Sequence, residues 1–205
     1  MRKRAFSWLL RAWSRLGVRT ARLEGRIAGR DLMIRLYQFG DLPALRRLFK
    51  PEVFSAASGS RVNAFGSSAS LWGWVRRTFQ VFYVIEVDKR ERRGMIGFAG
   101  IYNMDPGNSL WVSLVIFDPK DRRRGYGTRA LELLLSSFQK DHVVKRVCGE
   151  VLASNTGSLR FLKKLGFDVF AEDRDRVLLK SVGTGVIYLD RAMAMTGHKR
   201  LSKGE

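Results

Sequence analysis

The sequence predicts a mixed α/β (α+β) domain with a single, mostly antiparallel central sheet flanked by helices. Three observations carry this. "VFYVIEV" (81–87), "MIGFAGIYNM" (95–104) and "SLWVSLVIF" (109–117) are β-branched and aromatic runs separated only by turn-sized stretches, so they pair antiparallel. A helical, leucine-rich run then separates the last of them from "VKRVCGEVL" (144–152), which is enough chain for a β-α-β crossover. The chain has 205 residues and no internal repeat, the size of one domain with a proper core.

Taken in order, residues 1–30 read as an extension: nine basic residues and one acid, Glu24. Phe6, Leu9, Leu10, Trp13 and Leu16 recur at helical spacing, with Arg4, Arg11, Arg15 and Arg22 opposite. This basic amphipathic helix is too short and too charged to span a bilayer. It fits an anionic membrane surface, an organelle-targeting presequence, or packing on the body or on a second subunit. The expected location is cytoplasmic, peripheral at a membrane, or in an organelle.

The domain itself is expected over 31–197, with a polar tail at 198–205. "LMIRLY" (32–37) is a strand and "DLPALRRLF" (41–49) a helix, with Asp41 as its cap and Pro43 in its first turn. The Ser/Gly/Ala-rich stretch 51–70 is a connection or substrate loop, and "LWGWVRRTF" (71–79) a helix. The charged "DKRERRG" joins two strands, and "DPGN" (105–108) turns the next hairpin. After the crossover helix and its strand, "NTGSLRFLKKLG" is a short helix, capped by Asn155 and closed by Gly166. "VGTGVIYLDRAMAM" supplies one or two last strands.

The net charge is +19, from 38 basic and 19 acidic residues, and points to anionic partners: nucleic acid, lipid, ribosomes or an acidic small substrate. One cysteine, Cys148, excludes an internal disulfide and a cysteine-built zinc site, and it reads as a small buried hydrophobe. The two histidines, His142 and His198, give no support to a metal site or a Ser-His-Asp triad.

"DRRRGYGTRALELLL" (121–135) carries the chemistry. Gly125 and Gly127 let the backbone turn tightly at the mouth of a helix whose first N–H groups lack partners. Arg122, Arg123 and Arg124 add charge beside the positive end of the helix dipole, so a pyrophosphate fits here. "GYGTRA" also matches the dinucleotide fingerprint G-x-G-x-x-A, but "DPKDRRR" stands where that fingerprint runs its strand straight into the first glycine.

Pro119, Arg122, Gly125 and Gly127 form P-x-x-R-x-x-G-x-G, which resembles the acyl-CoA pyrophosphate loop of the GCN5-related N-acetyltransferases (GNAT). Asn155, Ser158, Gly166 and Phe167 resemble that family's second motif, and the "MIGFAGIYNMDPGN" hairpin resembles its ribosomal-protein and amino-sugar acetyltransferase branch. The resemblance is good over 95–168 and absent for 1–30. It implies acetyl-CoA as co-substrate, no metal, and an amine acceptor. The amides of Arg123, Arg124, Gly125, Tyr126, Gly127 and Thr128 would cradle the pyrophosphate, with Arg122 on its flank. Ile116 and Phe117 would pair with the pantetheine arm, and Asn155 would hydrogen-bond it.

The sequence departs from that family at the catalytic positions. Leu162 stands where many members carry a general-acid tyrosine, and Trp111 near where many carry a glutamate base. The remaining candidates are Glu150 as base, and Ser158 or Tyr188 as acid, or a water chain with positioning alone. The charge favours an acidic or nucleotide-linked amino sugar, or a protein N-terminus on a ribosome, over a free polyamine. A homodimer and a non-catalytic acyl-CoA-binding module on the same fold are further expectations.

Overall fold

A computed structural model describes residues 26–29, 31–50, 65–89, 92–105, 108–141, 144–174 and 185–193. Its strands are β1 (Arg26–Ala28), β2 (Leu32–Leu36), β3 (Val81–Lys89), β4 (Arg92–Asp105), β5 (Ser109–Ile116), β6 (Arg146–Leu152), β7 (Asp168–Asp173) and β8 (Val186–Ala192). Its α-helices are α1 (Leu42–Leu48), α2 (Ser68–Thr78), α3 (Tyr126–Asp141) and α4 (Thr156–Lys164). Among the described residues the strands form one 8-stranded sheet, ordered β1-β2-β3-β4-β5-β6-β8-β7. Every neighbouring pair is antiparallel except β5 with β6, the two strands that the α3 crossover joins.

The strand period of two sends alternate residues to opposite faces. One face packs α3 and α4 against Ile34, Ile85, Ile101, Leu110, Val147 and Leu189. The α3 residues Ala130, Leu131, Leu134, Leu135 and Phe138 lie in it, each larger one worth about 1.5–3 kcal/mol of burial. The other face packs α1 and α2 through Leu42, Leu45, Leu71 and Val75 against Phe82, Val84, Phe98 and Val115. That second layer is aromatic: Phe98 stacks on Phe82 at 4.8 Å and on Phe49 at 5.3 Å. It ends at Phe79, whose ring lies so close to Gly100 that a Cβ there would stand 2.3 Å from it.

Three local readings change. Asp41 occupies the N-cap position of α1 without a side-chain capping bond. Its carboxylate instead accepts two bonds from Arg35 (2.7 and 2.8 Å) and one from the Gln38 N–H (2.7 Å), while Arg35 also donates to Glu86 (2.6 Å). The half-buried guanidinium is the stronger attraction. Helix α2 begins at Ser68, because Ser67 and Ser70 form a reciprocal capping box. Residues 26–28, expected within the N-terminal extension, are an edge strand paired with β2. The amphipathic segment 1–25, the connection 51–64 and the tail 198–205 lie outside the described residues. No helix among the described residues is long and apolar enough to cross a membrane.

Candidate active site

The parallel ladder between β5 and β6 is short. It pairs Ser109 with Arg146, Leu110 with Val147, and Trp111 with Cys148, and then stops. Beyond it, β5 stays with β4 as far as Ile116, and β6 stays with β8 as far as Leu152. The sheet therefore opens between two strands that are each held from behind. The opening exposes a row of backbone N–H and C=O groups that an extended ligand can bond.

The register decides which groups face it. Phe117 donates its N–H to the Ile96 carbonyl, so odd-numbered residues of β5 bond β4 and even-numbered ones face the opening. Val112 and Leu114 thus present backbone groups there, and Ile116 its N–H. The Ile116 and Phe117 carbonyls are taken: Arg122 Nε donates to the first at 3.0 Å and its terminal nitrogen to the second at 3.1 Å. Arg122, expected beside a phosphate, is spent on fastening the strand end to the loop. Arg123 and Arg124 are the exposed cations of the triplet. Neither Val112 nor Leu114 was singled out from sequence, because their direction depends on which strand each side of β5 pairs.

The loop turns through a short 3-10 segment, Pro119–Asp121, capped by Asp118. Arg123 (φ +57°) and Gly125 (φ +79°) then take left-handed backbone, and α3 starts at Tyr126. The first helical N–H groups there have no intrahelical acceptor. They emerge beside two exposed arginines at the positive end of a 16-residue helix, which suits a pyrophosphate. Leu114 from β5 and Phe161 from α4 lie 3.4 and 3.5 Å from where a Cβ on Gly127 would stand. Helix α4 covers the neighbouring strand, with Leu162 against Gly149. Asn155 Oδ1 accepts the Ser158 N–H at 3.1 Å and so caps α4 beside the end of β6. The residues around the opening fit the pantetheine and pyrophosphate of an acyl-CoA.

The three candidate catalytic residues do not meet. Glu150 and Tyr188 are direct partners across β6 and β8, on the face away from α3. Ser158 lies on α4, which packs on the α3 face through Leu159, Phe161 and Leu162. Row by row, the face carrying Glu150 reads Tyr102, Trp111, Cys148 and Asp190, then Ser113, the opening, Glu150 and Tyr188. Cys148 is buried, and burial pushes its thiol pKa up; Arg146 opposes this and Asp190 adds to it.

The family model described as an acetyltransferase (GNAT) domain matches residues 31–168. The chain belongs to the GNAT acetyltransferase family. Solved structures agree on the fold. A probable GNAT-family acetyltransferase from Chromobacterium violaceum superposes with TM-score 0.68 at 21% identity, over 86% of this chain and 91% of that one. An acetyltransferase from Salmonella typhimurium that modifies the N-terminal serine of ribosomal protein L7/L12 gives 0.67 at 14%, over 82% and 99%. The spermidine N-acetyltransferase of Vibrio cholerae, in complex with CoA and spermine, gives 0.64 at 14%, over 80% and 96%. No curated protein sequence matches the chain. At these identities GNAT neighbours establish the architecture, and residue roles must come from the site itself.

Proposed function

We propose that this GNAT domain transfers the acetyl group of acetyl-CoA to a primary amine by direct attack. One observation carries the reading: the β5–β6 ladder stops at Trp111 and Cys148, in a sheet with a glycine turn and helix N-terminus on one side and a carboxylate on the other. Val112, Leu114 and Ile116 hold the pantetheine arm by strand addition. The amides from Arg123 to Thr128 hold the pyrophosphate, with Arg123 and Arg124 on its flank. Asn155 caps α4 and contributes to the floor of the pantetheine channel.

The amine reaches the thioester from the opposite face. Its nitrogen bonds the carbonyl carbon as the carbon–sulfur bond breaks. The amine gives up one proton and the departing sulfur takes one. Glu150 stands two residues beyond the last β5–β6 pair, on the acceptor side, and takes the proton from the amine. Tyr188, its cross-strand partner, carries a hydroxyl on the same face and returns a proton. Ser158 stays a secondary donor on the cofactor side. Leu162 is buried against Gly149 and supplies no acid.

The test is thiol release from acetyl-CoA in the presence of a panel of primary amines. Glu150→Gln should lower kcat by about 10²–10⁴ and remove the acidic limb of the pH–rate profile, with CoA affinity kept. Tight CoA binding with no turnover on any amine would instead favour a non-catalytic acyl-CoA-binding module.

A further inference from the structure

We propose that the acceptor half of this site selects a primary amine carried beside an aromatic ring, with Trp111, Tyr188 and Phe170 as the selecting wall. The inference rests on the transferase reading and narrows it. These side chains come from three different strands, yet their ring centroids lie 6.1 to 6.4 Å apart: Trp111 to Tyr188 at 6.1 Å, Trp111 to Phe170 at 6.4 Å, and Tyr188 to Phe170 at 6.1 Å. Tyr102 extends the row, 6.2 Å from Trp111. The wall is open: Phe170 is 46% exposed, and Trp111 and Tyr188 are half-buried.

Its position ties it to the chemistry. Trp111 is the last residue that β5 pairs with β6, and Tyr188 is the partner of Glu150. The backbone that carries the Tyr188 ring therefore lies one strand spacing, about 5 Å, from the backbone that carries the carboxylate that takes the amine proton. Offset or edge-to-face contacts with such rings add preference beyond buried area, on the order of 10-fold for a good pair.

The local charge favours a different acceptor from those that the net charge suggested. Among the described residues of β5 to β8 on this face, the basic side chain is Arg146. It is engaged by Asp190 and lies over the Phe170 ring at 5.2 Å. A phosphorylated or otherwise polyanionic acceptor meets no cation but the engaged Arg146 among those described residues. A polyamine meets one carboxylate at the reacting centre and a chain of net charge +19 around it. An amine next to a flat apolar group meets rings on one side and Glu150 on the other. The same chemistry occurs in a small aryl-alkylamine and in a peptide that begins with phenylalanine.

The experiment is steady-state kinetics of the full chain with acetyl-CoA. The acceptors are 2-phenylethylamine, butylamine, spermidine, glucosamine 6-phosphate, phenylalanyl-alanine amide and alanyl-alanine amide. Expected is at least a roughly 10-fold higher kcat/KM for one phenyl-bearing acceptor over its aliphatic counterpart, and which one distinguishes small molecule from peptide. In Trp111→Leu and Phe170→Ser that preference should shrink to within about 3-fold, with the circular dichroism spectrum kept. A preference for spermidine, the sugar phosphate or an aliphatic acceptor overturns the wall, as does a phenyl preference that both variants keep. Acetylation of no amine overturns the transferase reading itself. In that case calorimetry decides the wall separately: saturable 2-phenylethylamine binding lost in Phe170→Ser sustains it, and no binding removes it.

Discussion

Trp111 and Cys148 are the last residues that β5 and β6 pair, and Ser113 and Glu150, two positions on, face each other across an open sheet. The closed part of the ladder sets the width of the opening, and β4 and β8 keep its two lips rigid. A substitution that tightens or loosens either lip changes the cofactor site without touching a catalytic group.

Arg122 tests the first lip. It holds the Ile116 and Phe117 carbonyls at 3.0 and 3.1 Å and joins strand end to loop. Arg122→Gln should cost about 1–2 kcal/mol of stability and weaken CoA binding. Urea unfolding and CoA titration measure the two effects. An unchanged CoA affinity would show that the strand end needs no fastening.

Gly125 tests the turn. Its φ is +79°, and a Cβ there would have no neighbour within 4 Å, so the penalty for a side chain is conformational. Gly125→Ala should cost about 1–2 kcal/mol in thermal unfolding. Gly125→Glu adds a carboxylate where an anion binds and should abolish CoA binding with the circular dichroism spectrum kept. Retained affinity in that variant would remove the loop from the cofactor site.

The Arg35–Asp41 pair governs acid stability away from the site. Burial pushes the Asp41 carboxyl up, but the Arg35 and Gln38 hydrogen bonds and the Arg35 charge outweigh it, so its pKa lies below the usual value. A depressed carboxylate stabilises fully above its unfolded pKa, about 3.9, and that stability is lost as pH falls through the folded value. Asp41→Asn should lower stability at pH 7 by about 2 kcal/mol and flatten the loss below pH 4. Melting curves at several pH values decide this; parallel acid losses in both proteins would count against it.

Cys148 is the single cysteine, so its labelling reads one site. It is buried and its thiol pKa is raised, with burial the largest cause. A thiol reagent at pH 7.5 should react slowly with the native protein and rapidly in denaturant. Fast native labelling would mean that the floor of the acceptor face opens to solvent.

Much of this protein was legible because its signals are local. A hairpin shows as two alternating runs around a short turn, so "MIGFAGIYNM" and "SLWVSLVIF" announced β4 and β5. The pyrophosphate turn and the Asn155 cap are contiguous stretches whose backbone chemistry is set by their own residues. Strand β7 had no such signal. All six of its residues are exposed, so it lacks the alternation that a half-buried strand writes into a sequence.

What the amino-acid order determined by itself was the α/β class, the crossover, the cationic glycine turn and the family those motifs resemble. Each follows from residues near one another in the chain, where propensity, capping and backbone sterics act. What only the tertiary structure decided was direction and neighbourhood. Arg122 turned inward to two carbonyls. Val112 and Leu114 face the opening because β4 claims the odd-numbered residues of β5. Glu150 meets Tyr188 because β8 inserts between β6 and β7, and Ser158 is carried to the opposite face. Those outcomes depend on long-range packing and register, and a one-residue register shift of a strand would send that strand's side chains to the other side of the sheet.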